Sequence, residues 1–175
     1  MKETTPLRPA PLPQGGAQSP IPNPGFTWPV RVYWEDTDAG GVVYHARYLH
    51  FLERARTEWL RAGGHGQQQL RERDGIVFVV HRMELAFNAP ARLDDMLIAT
   101  VEPDDRRSAS FTVRQCLYRE PETKPLLEAR VRIACLVAAR FRPRPIPNHV
   151  LQEIAKGASQ AAALGSFKRP YHASV

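Results

Sequence analysis

Asp36 and Asp38 stand two residues apart at the end of an apolar, strand-like run, within Tyr33-Trp34-Glu35-Asp36-Thr37-Asp38-Ala39-Gly40-Gly41-Val42-Val43-Tyr44-His45. A glycine pair follows, and then a segment with helical period. That order places a carboxylate at the mouth of a helix N-terminus, where unpaired N–H groups can hold developing negative charge. A base beside a ready oxyanion site is the minimum equipment for acyl transfer.

The start of the helix carries no conventional cap, since Ser, Thr, Asp and Asn are missing from Ala39 to Leu49. Its first-turn N–H groups therefore lack a local side-chain acceptor and are left to water or a ligand. Gly40 and Gly41 remove side chains where a substrate carbonyl would approach the backbone. Asp38 then acts on that carbonyl as a base toward water or as a direct nucleophile. One oxyanion donor is typically worth about 2.7–4 kcal/mol. The competing reading is that Asp36 and Asp38 make turn hydrogen bonds and the glycines only shape the loop. A phosphatase-type Asp-x-Asp would need parallel-sheet repeats, which are absent. A calcium loop would need further acidic ligands at fixed spacing, and Ala39 to Val43 supplies none.

His45 falls at the presumed helix start, where a cationic imidazole is disfavoured by the helix dipole and a neutral one suits a pocket wall. Glu53 and Arg56 are three apart on the helix, spaced to pair and to orient pocket or interface groups. Arg54 and Glu58 have the spacing of a solvated pair. Tyr44 and His81 are pocket-wall candidates that core packing would equally explain.

The elements that must position these groups are readable from periodicity. Val30 to Trp34 reads as a short strand leading into the acidic loop. From about Ala46 to Ala62, Leu49, Leu52, Ala55 or Arg56, Trp59 and Leu60 recur at threes and fours, a single apolar stripe on a long helix. Gly63-Gly64 supplies its stop, and Gln67 to Arg73 has the character of a short second helix. From Ile76 the period becomes two, with Met83, Leu85 and Phe87 on one face. Asn88-Ala89-Pro90 breaks that strand. Leu97, Ala99 and Val101 mark the next, and Pro103 to Arg107 reads as a turn. Ala109, Phe111, Val113 and Leu117 share a face of the strand that follows. After a turn over Pro121 to Pro125, Ala129, Val131, Ile133, Cys135 and Val137 carry the last long strand. Asn148 is placed to cap a short helix through about Lys156. One strand, one long helix and four strands with short turns make an α+β layer: an antiparallel sheet of about five strands against one helix.

Composition narrows the setting. The 175 residues are 43% hydrophobic, with net charge +6 and two cysteines, Cys116 and Cys135. That suits one domain with tails. No run is long and apolar enough for a membrane span, and the N-terminus has no apolar signal region. Residues 1–28 are crowded with proline and read as a flexible extension. The core domain is expected over 29–147, and a short helix with a loosely ordered tail over 148–175. Basic runs interleaved with aromatics, of the kind that bind nucleic acid, are missing. Both cysteines fall in apolar strand-like runs, which favours two buried free thiols over a disulfide and, with that reading, a reducing cytoplasm.

The segment Glu35-Asp36-Thr37-Asp38-Ala39-Gly40-Gly41-Val42-Val43-Tyr44-His45, with Tyr48 and Glu53-Arg54-Ala55-Arg56-Thr57-Glu58, resembles the 4-hydroxybenzoyl-CoA thioesterase family. The likeness is strongest to its Tol-Pal-associated acyl-CoA thioesterase branch, and the block Ala89-Pro90-Ala91-Arg92-Leu93-Asp94-Asp95 supports it. It covers roughly Trp28 to Pro147. The resemblance implies a hotdog fold, a curved antiparallel sheet wrapped around the long helix, in subunits that join sheets as homodimers or homotetramers with active sites between them. It implies hydrolysis of acyl-CoA, with Asp38 as catalytic carboxylate and the backbone N–H near His45 as oxyanion donor; short-to-medium chains are expected because Trp59, Phe51 and Phe87 would crowd a long tunnel. Gly40, Gly41, Val43, Tyr44 and Glu53 would line the substrate, with Arg140 and Arg142 near the coenzyme A phosphates. No metal or cofactor is expected, coenzyme A entering only as part of the substrate. Two rival roles are an acyl or acyl-carrier-protein binding module and a Tol-Pal-associated scaffold with little turnover.

Overall fold

The computed structural model describes residues 25–163, so the expectations for the proline-rich segment before Gly25 and for the tail after Ala163 lie outside the described residues. Five strands, β1 (Phe26–Arg31), β2 (Ile76–Phe87), β3 (Met96–Arg107), β4 (Ser110–Arg119) and β5 (Pro125–Val137), form one antiparallel sheet in the order β1-β3-β4-β5-β2. The helix α1 (Arg47–Ala62) packs on one face, nearest β3 and β1. A short helical turn, α2 (Gln67–Gln69), runs into a π-helical turn over Leu70–Asp74. A last helix, α3 (Asn148–Ala163), returns to the core. The α+β hotdog architecture expected from the sequence is the one found.

Its core is the meeting of two periodicities. Tyr48, Phe51, Leu52, Ala55 and Leu60 form the buried face of α1. Phe111, Val113 and Leu117 on β4, and Ala129, Val131, Ile133 and Cys135 on β5, are the alternate residues that meet it. At about 1.5–3 kcal/mol for each fully buried large apolar side chain, this layer is the main force holding helix to sheet. Helix α1 ends where the glycines foretold. Gly64 takes φ +80°, the His65 amide donates to the Leu60 carbonyl at 2.9 Å, and the Gly64 amide donates to the Arg61 carbonyl at 2.9 Å. That is a Schellman stop, which needs a residue at ease in the left-handed region.

Several expectations are corrected by pairing. Strand β1 is Phe26–Arg31 rather than Val30 to Trp34, because its register runs from Phe26 opposite Val101 to Arg31 opposite Met96. Pro29 is tolerated there because β1 is an edge strand. Trp34–Asp36 forms a 3-10 turn instead. Pro103 to Arg107 is not a turn but the end of β3, carrying a bulge between Pro103 and Arg106. Partnering with β1 stops at Val101, so Pro103 lies where its missing N–H costs no ladder bond. The chain turns over Ser108 and Ala109.

Along α1, Leu49 turns outward while Tyr48 and Phe51 take the buried positions. Helix α3 continues past Lys156 to Ala163, its first turn starting from the Pro147 carbonyl, which accepts from Val150 and Leu151, both at 3.0 Å. Val150 and Ile154 are buried. Cys116 and Cys135 are free thiols, and burial pushes Cys116 up to about 11. No helix among the described residues is long and apolar enough to cross a membrane.

Candidate active site

The acidic loop folds as a small hairpin. Thr37 bridges Val43 in antiparallel fashion, the Asp38 amide donates to the Val42 carbonyl at 3.0 Å, and the Tyr44 amide donates to the Asp36 carbonyl at 2.9 Å. At its tip the Gly41 amide donates to the Asp38 carbonyl at 3.0 Å, and Asp38 Oδ1 accepts from the Gly40 amide at 2.8 Å. Asp at the first turn position accepts from the backbone two residues on, as Asp characteristically does. The turn reading of the motif is thus correct for one oxygen of Asp38. The other oxygen has no partner among the described residues.

Each glycine has its own reason. Gly41 holds φ +71°, which an L side chain resists. At Gly40 an added Cβ would stand 3.0 Å from Asp38 Oδ1. Gly40 therefore makes room for the carboxylate of Asp38, not only for an incoming carbonyl.

The two acids divide their work. Asp36 is buried, at 1% exposure, and is fully engaged: Oδ2 accepts from the Tyr33 amide at 2.9 Å and Oδ1 from Arg47 Nε at 2.7 Å. Arg47 is the first residue of α1 and also reaches Glu35. Asp36 therefore ties the hairpin to the start of the helix. Asp38 stays exposed on the protomer.

The start of α1 is uncapped, as expected. Ala46 occupies the cap position with no side-chain hydrogen bond, and no acceptor for the His45 amide is found among the described residues. His45 is exposed, its ring 4.4 Å from that of Tyr44. Hairpin pairing thus sets Asp38 on one limb and His45 just past the end of the other. Val43, expected to touch substrate, instead sends its side chain into the core at 3% exposure.

A second anchor was not legible as such. The Val43 amide donates to the Ala91 carbonyl at 2.8 Å, and the Ala91 amide donates to the Tyr48 hydroxyl at 2.8 Å. Burial raises the Tyr48 phenol, with the Ala91 amide opposing the shift. The Ala89 to Asp95 block thereby holds both hairpin and helix. Arg119 fixes that block from β4 through Asp95, at 2.9 Å, and the Pro90 carbonyl. The only sequence signal for this was the block's likeness to the family.

The expected Glu53–Arg56 pair does not form. Glu53 accepts from Thr57 Oγ1 at 2.7 Å, whereas Arg56 turns inward to Gln115 Oε1, also at 2.7 Å. Gln115, a buried polar residue among the apolar positions of β4, passes the contact on to the Leu52 carbonyl at 3.1 Å. Glu58 pairs with Arg61 rather than Arg54. Arg140 and Arg142 are exposed in the loop after β5, beside the start of β2, where Ile76 faces Val137. The Asp38 hairpin lies at the other end of β2, beyond Phe87. Along the strand the two places are on the order of 35 Å apart, so one protomer does not bring them together. Among the described residues no group of three His, Cys, Asp or Glu is placed to hold a metal ion.

Residues 32–154 match the model of the thioesterase-like superfamily. The chain belongs to that superfamily. Among this thioesterase-like chain's relatives is the acyl-CoA thioesterase YbgC of Haemophilus influenzae, 46% identical over 126 residues, covering 72% of this chain and 91% of the relative. The acyl-CoA thioester hydrolase YbgC of Escherichia coli O6:H1 is 46% identical over 128 residues, covering 73% and 94%. A probable thioesterase from Bartonella henselae superposes with a TM-score of 0.65 at 37% identity, covering 69% of this chain and 98% of that one. A 1,4-dihydroxy-2-naphthoyl-CoA thioesterase from Synechocystis shares the fold, with a TM-score of 0.69 at 22% identity over 74% of this chain and 95% of that one.

Proposed function

We propose that this protein hydrolyses acyl-CoA thioesters at a site built around Asp38 and the uncapped start of α1. The observation that carries the mechanism is the division of the two acids. Asp36 is consumed by Tyr33 and Arg47, while among the described residues Asp38 keeps one carboxylate oxygen without a partner on the same hairpin that delivers the His45 amide, likewise without an acceptor there. The amide polarises the thioester carbonyl. Asp38 takes a proton from attacking water, or attacks the carbonyl itself to give an anhydride that water then opens. The products are the free acid and the thiol of coenzyme A.

In a single protomer Asp38 lies on the surface, and a second copy would supply the missing wall. Strand β2 is a free edge 12 residues long, with Val80 49% and Phe87 52% exposed. Such an edge invites a partner strand. Two copies pairing antiparallel along β2, about a two-fold axis, set the beginning of one β2 against the end of the other. The Arg140–Arg142 loop of one copy then approaches the Asp38 hairpin of its mate, where coenzyme A phosphates would lie. Sedimentation would give a dimer, or a tetramer of such dimers.

The YbgC-type relatives support acyl-CoA as the substrate class, and the sequence blocks support the Tol-Pal-associated branch as its place. Two free cysteines fit a reducing cytoplasm. Trp59 and Phe78 line the cavity between α1 and β2 and narrow the space open to an acyl chain, which favours short-to-medium chains. The test is release of free thiol from an acyl-CoA series, butyryl to palmitoyl, by wild type and the Asp38→Asn variant. Turnover peaking below palmitoyl and lost in the variant supports the reading. Equal turnover by the variant overturns the role of Asp38, and silence on every acyl-CoA overturns the activity.

A further inference from the structure

A cavity of about 240 Å³ lies between β1, the end of α1 and α3. Phe26 on β1, Trp59 on α1, Val101 on β3, and Val150 and Ile154 on α3 make its walls, and Gly25, the first described residue, lines it too. Its size is below the ~300–1,000 Å³ of sites for drug-sized ligands. The charged lining residues Glu153 and Lys156 pair with each other at 2.7 Å. The cavity therefore suits small neutral apolar groups rather than coenzyme A or another large anion.

The chain itself brings such groups to this place. Pro20-Ile21-Pro22-Asn23-Pro24 runs directly into Gly25. Register explains why β1 begins no earlier than Phe26. Phe26 faces Val101, so one step back sets Gly25 against Glu102 and the next sets Pro24 against Pro103. Neither proline has an N–H to give, and the ladder stops. Phe26, Trp28 and Val30 are the inward residues of β1, with Thr27 and Pro29 exposed between them. Continuing that alternation puts Pro24 and Pro22 on the inward side, over the cavity. Residues that precede a proline are biased to extended backbone, a restriction that falls on Ile21 and Asn23. Gly25 lies so close to β3 that an added Cβ would stand 2.9 Å from the Val101 carbonyl oxygen and 3.2 Å from Glu102 Cγ. The chain therefore leaves β1 along the wall of the cavity.

We infer that the cavity is the docking site of this chain's own residues 20–24, with the Pro22 and Pro24 rings against Phe26 and Trp59, and that the docked segment fastens α3 to the sheet. Proline-rich segments dock in aromatic-lined grooves because their extended form is largely preset, so little conformational entropy is lost. Pro22 is three residues from Gly25, about 9 Å of polyproline rise, which keeps both rings within reach of the walls. The same Pro-x-Pro-x-Pro pattern occurs earlier, as Pro9-Ala10-Pro11-Leu12-Pro13, but beyond Gly15-Gly16 and without this direct attachment to β1. Val150 and Ile154 form the α3 side of the cavity, so filling it links them to Phe26 and the sheet.

The test keeps the full chain. Pro22→Ser with Pro24→Ser removes the two rings, and Pro11→Ser with Pro13→Ser makes the equivalent change in the earlier run. Hydrogen exchange of the backbone amides of residues 150–154 reads the fastening of α3, on variants shown by circular dichroism to be folded. The first variant is expected to exchange there about tenfold faster than wild type, and the second at the wild-type rate. In wild type, nuclear Overhauser contacts are expected between the ring protons of Pro22 or Pro24 and the Trp59 indole. Unchanged exchange in the first variant overturns the docking, as does the absence of those contacts. Equal acceleration in both variants overturns the assignment to residues 20–24. Contacts that arise only between differently labelled chains in a mixed sample would place a second copy's segment in the cavity and overturn docking within one chain.

Discussion

The guanidinium of Arg47 grips the buried carboxylate of Asp36, with Nη2 2.6 Å and Nε 2.7 Å from Oδ1. These residues are eleven apart, on the two sides of the hairpin, and their contact fixes the acidic loop to the first residue of α1. The geometry of the neighbouring Asp38 depends on this clamp, because among the described residues Asp38 itself is held only by its own turn.

Replacing Asp36 with Ala should destabilise the fold by about 3 kcal/mol, the scale for removing one partner of a buried ion pair. The guanidinium would lose its partner, and the Tyr33 amide its acceptor. Urea unfolding monitored by circular dichroism measures this. A midpoint matching wild type would mean that the clamp is ornamental.

Asp38→Asn is the cleaner probe of chemistry. The Asn side-chain oxygen can still accept from the Gly40 amide, so the turn should persist and the melting temperature should stay near wild type. Turnover should fall by about 10²–10⁴-fold, the range for a lost general base. Thiol-release kinetics on folded protein decide it.

The glycines should separate by phenotype. Gly40→Ala puts a Cβ 3.0 Å from Asp38 Oδ1 and should lower kcat with little loss of stability. Gly41→Ala forces an L residue to φ +71° in open space and should cost stability, about 1 kcal/mol. Paired kcat and melting measurements on the two variants would show the opposite pattern if the loop were merely flexible.

His65 predicts an acid-side loss of stability. Burial first, then His149, depresses its pKa below the ordinary 6.5, with Arg73 adding to the shift and Glu153 and Asp74 opposing it. Its Nδ1 is buried without a partner among the described residues, and the His149 ring lies 5.3 Å away. The unfolded chain therefore binds the proton more readily than the folded one. The contribution of neutral His65 is complete above pH 6.5 and is lost as pH falls through its depressed folded value. Stability against pH should be shallower over that window in His65→Phe than in wild type. Superimposable curves would remove His65 from the account.

Local pattern alone settled a good deal. The helix over 46–62 followed from apolar spacing, its stop from Gly63-Gly64, and the alternation of β4 and β5 from period two. The uncapped start of α1 was legible because capping is a matter of a few adjacent residues. The acid motif was legible as a candidate site, and its likeness to a family gave the architecture.

Tertiary structure decided everything that depends on partners distant in sequence. Which acid is free followed from Arg47, eleven residues away from Asp36. That Arg56 turns to Gln115 rather than Glu53 followed from the sheet, which offers a buried amide where the helix offers an exposed carboxylate. The run from Pro103 to Arg107 became strand because register with β4 outweighed local turn propensity. Periodicity reports which face of an element is apolar. Which polar group meets which is set by folding, when the cost of burying an unpaired charge or amide selects among partners that the linear sequence leaves equivalent.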